Sequence, residues 1–476
     1  MKKKNALVTF LVSVAVMIMI PLTVLAQDTN AVAQIGDRKY PSLSAAVEAA
    51  EKDDTIILLT DITDVHTIQI NENKNITINL NSHKIGFAKN NYFFVQGGTL
   101  NLEGEGMAYE QYPYYSPVLV KGMGKEESKT KVSVGSGVTL QGWSGLFVDH
   151  NGNDNYGIEI NVYGTLYSVN DTDGSGGHTL YINGSIKEST DNVKITLDGA
   201  KLLNKEGGNG MYLAGYAETT IKNSIIESSV EGSTGIEIRA GKLQISNSSI
   251  IGGNGKFEYI PNGNGSTSAN VALAIVQHTT KQSLLVNVNE GTILTGSMAL
   301  AQANPQKNGV EAIEKIEVSV NGGIFHGDIY AENLQKFIKK ATFDKPVKEE
   351  YLESGAVVHT HSYSDKWTVD DNEHWNQCEC GSRINVTAHA FTWIVDKEAT
   401  EEEAGAKHEE CTVCGYKRAT VVIPATADPE EPSADNINPP KTGDNSNTAL
   451  WSLLAAVSVA GLGVLLLRRK KYPIDK

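Results

Sequence analysis

Five stretches, "KVSVGSGVTLQG", "EINVYGTLYS", "VKITLDGAKLL", "LLVNVNEGTILTG" and "IEVSVNGGIFHG", repeat one outline. Two alternating apolar residues are followed by a short gap, a glycine and another apolar position. Val132, Val134, Gly137 and Leu140 form one such set; Ile195, Leu197, Gly199 and Leu202 form another, and Val286, Val288, Gly291 and Ile293 a third. Alternation turns one face of a strand inward, and glycine permits the positive φ of a tight corner. A unit of one strand, one corner and the next strand is too small to bury its own apolar face. It must stack on its neighbours, as repeating units of roughly 20 to 50 residues do in solenoids. The predicted fold is all-β: a right-handed parallel β-helix over residues 27–350. A β-sandwich is the rival, but it calls for strands at regular spacings of about 8 to 12 residues, which the uneven insertions here do not supply. The 45 glycines, many asparagines and few aromatics agree with short strands and turns.

The open end of a solenoid exposes its core and needs a cover. Just before the strand "DTIILLTDIT", the segment "PSLSAAVEAAEKDD" spaces Leu43, Ala46, Val47 and Ala50 as on one helical face, with Ser42 as N-cap. A capping helix is expected there. The opening "VAQIGDRKYPSLSAAVEAAEKDDTIILLTDI" resembles that of parallel β-helix surface proteins of Gram-positive bacteria, a pectate-lyase-like architecture, and the likeness extends to about Phe343. It implies the fold and an extracellular setting, and no reaction.

All four cysteines, Cys378, Cys380, Cys411 and Cys414, fall in a segment from about 359 to 423 that is also rich in His and Trp. Cys411 and Cys414 form Cys-x-x-Cys-Gly, a turn that points two thiolates at one zinc ion; Cys378 and Cys380 form the tighter Cys-x-Cys-Gly. One structural zinc centre of four cysteines is expected, with His374 or His408 able to replace a thiolate. Two disulfides are the alternative, since export and an even cysteine count both allow them. The segment resembles a small zinc-ribbon-like module appended to surface proteins of anaerobic Firmicutes.

The ends of the chain address it outward. Lys2, Lys3 and Lys4, an apolar stretch from Ala6 to Leu25 and small Ala26 read as a signal peptide over 1–26. Residues 424–438 are rich in Pro, Asp and Glu and read as an extended spacer. Pro439, Pro440, Lys441, Thr442 and Gly443 precede an apolar span over 449–467, which approaches the about 20 residues a bilayer crossing needs. Arg468, Arg469, Lys470 and Lys471 close it on the cytoplasmic side. This order over 439–476 resembles a sortase sorting signal, with Pro439 where Leu is commonest in the family. The resemblance implies sortase as a partner, cleavage between Thr442 and Gly443, and covalent attachment of Thr442 to peptidoglycan.

A formal charge of -15 argues against nucleic acid as a partner, because that binding draws on clustered Lys and Arg. For an enzyme acting on polysaccharides the candidates are few: between Asp54 and Tyr351, Arg239 is the only arginine. The acidic loops "FVDHNGNDN" and "VNDTDGSGGH" carry Asp149, Asp154, Asp171 and Asp173, with His178 beside them. Asp149 and Asp171 are one rung apart in the expected solenoid, which would let the loops share a cation such as Ca2+; solvated turns are the plainer account. In "MAYEQYPYYSPV", Tyr109, Tyr112, Tyr114 and Tyr115 cluster in an apparent insertion, with Trp143 further on, and exposed tyrosines stack on sugars or anchor protein interfaces. The expected function is an adhesin-like, non-catalytic binding protein. Its ligand would be a host glycan, mucin or other glycoprotein, a matrix protein or a secreted immunoglobulin. The alternative is a polysaccharide lyase or glycoside hydrolase using Asp149, Asp171 and Asp173 with His178 or Arg239.

Overall fold

The computed structural model describes residues 31–111, 115–124, 129–149, 157–170, 176–183, 193–262 and 265–426. The signal peptide, most of the spacer and the whole sorting signal lie outside these residues, as do Tyr112, Tyr114, Asp154, Asp171 and Asp173. The chain divides into two compact units, Met1–Thr368 with Trp375–Val386, and Val369–His374 with Thr387–Lys476.

The first unit is a parallel β-helix whose strands join one 32-stranded sheet. Each turn supplies three strands: Thr55–Leu58, Ile62–Val65 and Ile68–Asn71 in the first, then Asn75–Asn79, His83–Phe87 and Phe93–Gln96 in the second. Equivalent strands of successive turns pair parallel and in register. On the first side Ile56, Ile78, Leu102, Val134, Val162, Leu197, Ile221, Ile245, Val288 and Val320 follow one another as direct partners. On the second, Ile85, Ala108, Leu140, Leu166, Leu202, Ile226, Ile250, Leu294, Phe325 and Phe343 do the same. These side chains are buried, and each Val, Leu, Ile or Phe contributes roughly 1.5–3 kcal/mol relative to an exposed position. The burden of stability is therefore spread along the coil.

The corners have two different causes. At one of them Gly199 (φ 70°), Asn223 (φ 53°), Asn247 (φ 46°) and Gly291 (φ 72°) stand one above another, all in the left-handed region that glycine and asparagine tolerate. Gly137 lacks a positive φ and is needed for another reason: a Cβ there would come within 2.8 Å of the Gly104 carbonyl oxygen of the turn before.

The first end of the coil is covered by a helix and a hairpin, and the other is closed by one more strand. Ser42 accepts a hydrogen bond from the Ala45 N–H (3.1 Å) and starts the helix Leu43–Ala49, which buries Leu43, Ala46 and Val47. Ala33–Ile35 adds antiparallel to Thr55–Leu58 and to Arg38–Tyr40, so the edge of the first rung is also taken up by a hairpin. At the other end Leu352–Thr360 pairs parallel with Ile338–Phe343, so the ladder runs past residue 350 and includes His359, the first histidine of the cysteine-rich segment. Beyond it lie two three-stranded sheets, one of Tyr363–Val369, Glu373–Cys378 and Arg383–Ala388, the other of Phe391–Lys397, Gly405–Cys411 and Val421–Ile423.

Candidate functional site

The third side of the coil differs from the other two in what it turns outward. Its inward positions are aliphatic: Val95, Val120, Val148, Ile182, Leu213, Ile238 and Ile275 stack in register. The residues alternating with them face out, and there Phe94, Leu119, Phe147, Tyr181, Tyr212 and Glu237 are consecutive partners. Parallel in-register pairing repeats a position every 4.7–4.9 Å or so, the distance at which rings stack. Phe147 and Tyr181 lie 4.7 Å apart at 8°. Tyr115 stacks on Tyr92 (5.5 Å) and meets Phe147 edge-on (5.2 Å), while His178 stacks on Tyr212 (4.7 Å) with Trp143 edge-on to it (5.3 Å).

Charged groups border these rings. Arg239 lies over the Tyr212 ring (4.9 Å), its Nε 2.6 Å from Glu237 Oε1, and both members of this pair are fully buried. Burial and then the Arg239 charge bring the His178 imidazole down to about 3, so it is neutral. Burial and then the Asp149 charge push the Tyr115 phenol up to about 12. Tyr181 is also raised by burial, with Arg239 opposing and Asp149 adding to the rise. The fold thus brings Asp149, His178 and Arg239 to one flank, as the sequence allowed, together with Tyr115 and Trp143.

Tyr109 is not part of this group. It lies within the strand Gly106–Glu110 on the second side, over Gly86, where a Cβ would come within 2.8 Å of its hydroxyl oxygen. Tyr109 therefore belongs to the ladder and not to an insertion with Tyr115, and Tyr112 and Tyr114 lie outside the described residues. Sequence reasoning missed Tyr92, Phe94, Phe147, Tyr181, Tyr212 and Glu237. The signal was there in "FFV", "LFV", "LYI", "MYL" and "IEI", where two apolar residues flank one outward residue, but it shows only once the strands are aligned in register.

The cysteines also depart from expectation, for they do not converge on a single four-cysteine centre. His359, His361, Cys378 and Cys380 make one group, and His374, His389, Cys411 and Cys414 a second, with the donor atoms of each group within 4.8 Å of one another. Either group can hold a metal ion. In the first, Cys378 Sγ is 3.5 Å from His359 Nε2 and Cys380 Sγ 3.3 Å from His361 Nδ1. In the second, Cys414 Sγ is 3.3 Å from His389 Nδ1, Cys411 Sγ 4.0 Å from His374 Nδ1, and the two Nδ1 atoms are 3.4 Å apart. The Cys380 backbone N–H and the His361 ring pull the Cys378 thiol down to about 6. Burial pushes the Cys411 thiol up, but the Cys414 and Val413 N–H groups and the His389 ring outweigh it and hold it at about 6. Both shifts favour the thiolate, the form that binds metal. His408 is in neither group. It pairs with Asp396 (2.7 Å) and Glu410 (3.1 Å), which raise its pKa, so its expected role as a substitute ligand is withdrawn.

Residues 440–471 match the LPXTG cell wall anchor motif family. The protein is therefore a secreted surface protein of the Gram-positive, sortase-anchored class, attached covalently to peptidoglycan and displayed outside the cell. No curated protein and no solved structure matches the chain. Among the described residues no helix is long and apolar enough to cross a membrane; the apolar span over 449–467 lies outside them.

Proposed function

We propose that the β-helix is a non-catalytic, adhesin-like binding surface, with the aromatic flank as its contact face and a host glycan or glycoprotein as its ligand. The observation that carries this reading is the outward register Phe94, Leu119, Phe147, Tyr181 and Tyr212, flanked by Tyr92, Tyr115 and Trp143. Sugar rings stack on aromatic faces, and half-buried tyrosines join an apolar body to a polar tip. Tyr92, Phe94, Tyr115 and Tyr181 are half-buried, whereas Phe147 and Tyr212 form the floor. Mucins, matrix proteins and immunoglobulins are all glycosylated partners that such a face suits.

The approach of Asp149, His178 and Arg239 to the same rings favours a second reading, cleavage of a polysaccharide. Against it, Arg239 is committed to Glu237, and half-buried His178 is held neutral and stacked on Tyr212, an arrangement that fits support of the rings better than proton transfer. Incubating the secreted chain on a glycan and host-glycoprotein array, then analysing the glycans for shortening, separates the two. Retention without products is expected, weakened at least tenfold by Tyr92→Ala with Phe94→Ala; cleavage products would overturn the binding reading. A calcium site shared by the acidic loops would rest on Asp171 and Asp173, which lie outside the described residues.

Zinc is the metal we assign to the Cys/His groups, in a structural role. Thiolate and imidazole together suit its borderline softness. The donor set fits: His389 Nε2 lies 2.8 Å from the Asp370 carbonyl oxygen, a bond only an N–H can make, which leaves the Nδ1 lone pair of the neutral ring facing the sulfurs. Bound zinc would supply a cross-link between strands. For the wall anchor, a sortase thiolate attacks the Thr442 carbonyl and the Gly443 amine leaves. A peptidoglycan amine then displaces the thiolate, forming an amide at Thr442.

A further inference from the structure

We infer that the chain holds two zinc ions in separate Cys2His2 sites, and that the first is a clasp on the last rung of the solenoid. The inference rests on zinc as the metal of these groups and goes beyond it in number, ligands and task.

Each cysteine pair sits on a turn closed by a positive-φ glycine, one residue longer in the second pair than in the first. In the first, the Gly381 N–H donates to the Cys378 carbonyl (2.8 Å), the Cys378 N–H to the Ser382 carbonyl (2.9 Å), and Gly381 has a φ of 90°. In the second, the Gly415 N–H donates to the Cys411 carbonyl (2.9 Å), the Cys411 N–H to the Tyr416 carbonyl (2.8 Å), and Gly415 has a φ of 74°. Each turn already faces two imidazoles, so neither needs the other's thiolates to complete four ligands. Zn–N bonds of about 2.0–2.1 Å and Zn–S bonds of about 2.3 Å at tetrahedral angles put ligand atoms roughly 3.3–3.8 Å apart. The separations of 3.3 and 3.5 Å in the first site, and of 3.3 and 3.4 Å in the second, are edges of such a tetrahedron, with the 4.0 Å contact slightly open.

The first site has a structural consequence that the second lacks. His359 lies on the closing strand Leu352–Thr360, paired with Thr342, and the His361 N–H donates to the Phe343 carbonyl (2.8 Å). The two histidines are one strand repeat apart and so share a face. Among the described residues that strand pairs with Ile338–Phe343 alone, and its residues are half-buried or exposed, whereas Ile338–Phe343 buries three of its own. Terminal units of a solenoid fray unless capped. A zinc ion bridging His359 and His361 to Cys378 and Cys380 would bind the closing strand to the next hairpin and do the work that the helix and hairpin do at the opposite end.

The test is zinc counting by native mass spectrometry on the secreted chain, with amide exchange read over 352–360. Two zinc ions are expected. Cys378→Ser with Cys380→Ser should retain one and speed exchange over 352–360 at least tenfold; Cys411→Ser with Cys414→Ser should retain one and leave that exchange unchanged. His361→Gln and His389→Gln, milder changes, should weaken zinc at their own sites only. A single zinc in the unaltered chain, absent from both double variants, would mean one shared centre and overturn the inference while leaving zinc in place. A metal-free chain lighter by four hydrogens would overturn the zinc assignment itself, and unchanged exchange in the first double variant would overturn the clasp.

Discussion

His178 is the clearest single residue by which the third flank can be interrogated. Its Nδ1 is buried without a hydrogen-bond partner among the described residues, its ring is stacked on Tyr212, and its pKa is brought down to about 3. In the unfolded chain the same imidazole titrates near its ordinary value of about 6.5. Between these values the unfolded state binds the extra proton, so stability is intact above about pH 6.5 and falls as pH drops towards 3. The slope from this one group is roughly 1.4 kcal/mol per pH unit. Urea midpoints between pH 7 and pH 5 should therefore decline, and His178→Phe should flatten that part of the decline; an identical pH profile in the variant would show that His178 ionises freely in the folded protein. Glu237 and Arg239 belong to the same buried layer. They are a pair that costs much to desolvate and more to break, which explains why they occur together where the aromatic register ends.

At the scale of the element, the corners are more restrictive than the strands. Strand positions need only an apolar side chain on alternate residues, and Ile, Val and Leu replace one another freely along each ladder. The stacked corner of Gly199, Asn223, Asn247 and Gly291 needs a left-handed residue at every turn, and at Gly291 a Cβ would also come within 2.0 Å of Asn247 Oδ1. Gly291→Val should destabilise the coil by at least about 1–2 kcal/mol from the backbone conformation alone. Asn223→Gly should be nearly neutral, since glycine adopts the same region. Thermal unfolding of the two variants checks the difference, and equal losses would mean that the corner tolerates branched residues. The helix Leu43–Ala49 is short for an independent helix and owes its place to Ser42 and to the apolar face it lays on the first rung.

At the scale of the molecule, the coil is carried outward by the anchor. A solenoid distributes its stability over nearest-neighbour contacts and leaves long flanks free, which suits display on a wall. The cleaved bond proposed between Thr442 and Gly443 gives a direct prediction: Thr442→Ala should shift the protein from the wall-linked to the membrane fraction. Muralytic digestion, with wild type and variant compared, measures this; equal release of both would place the cleavage elsewhere.

The sequence by itself determined the repeating strand, the need to stack, the helix that opens the coil and the anchoring class, because each is written in local periodicity or in a contiguous motif. Ser42 and the face of Leu43, Ala46 and Val47 could be read directly from their spacing. Only the tertiary structure decided which outward residues meet. Phe94, Phe147, Tyr181 and Tyr212 belong to four different turns, and the uneven insertions between them hide a register that hydrogen bonding restores. The same cause divided the cysteines. Spacing along the chain showed two paired turns, but their partners His359 and His361 are placed by the closing strand and His374 and His389 by the chain around them, contacts that no sequence interval encodes.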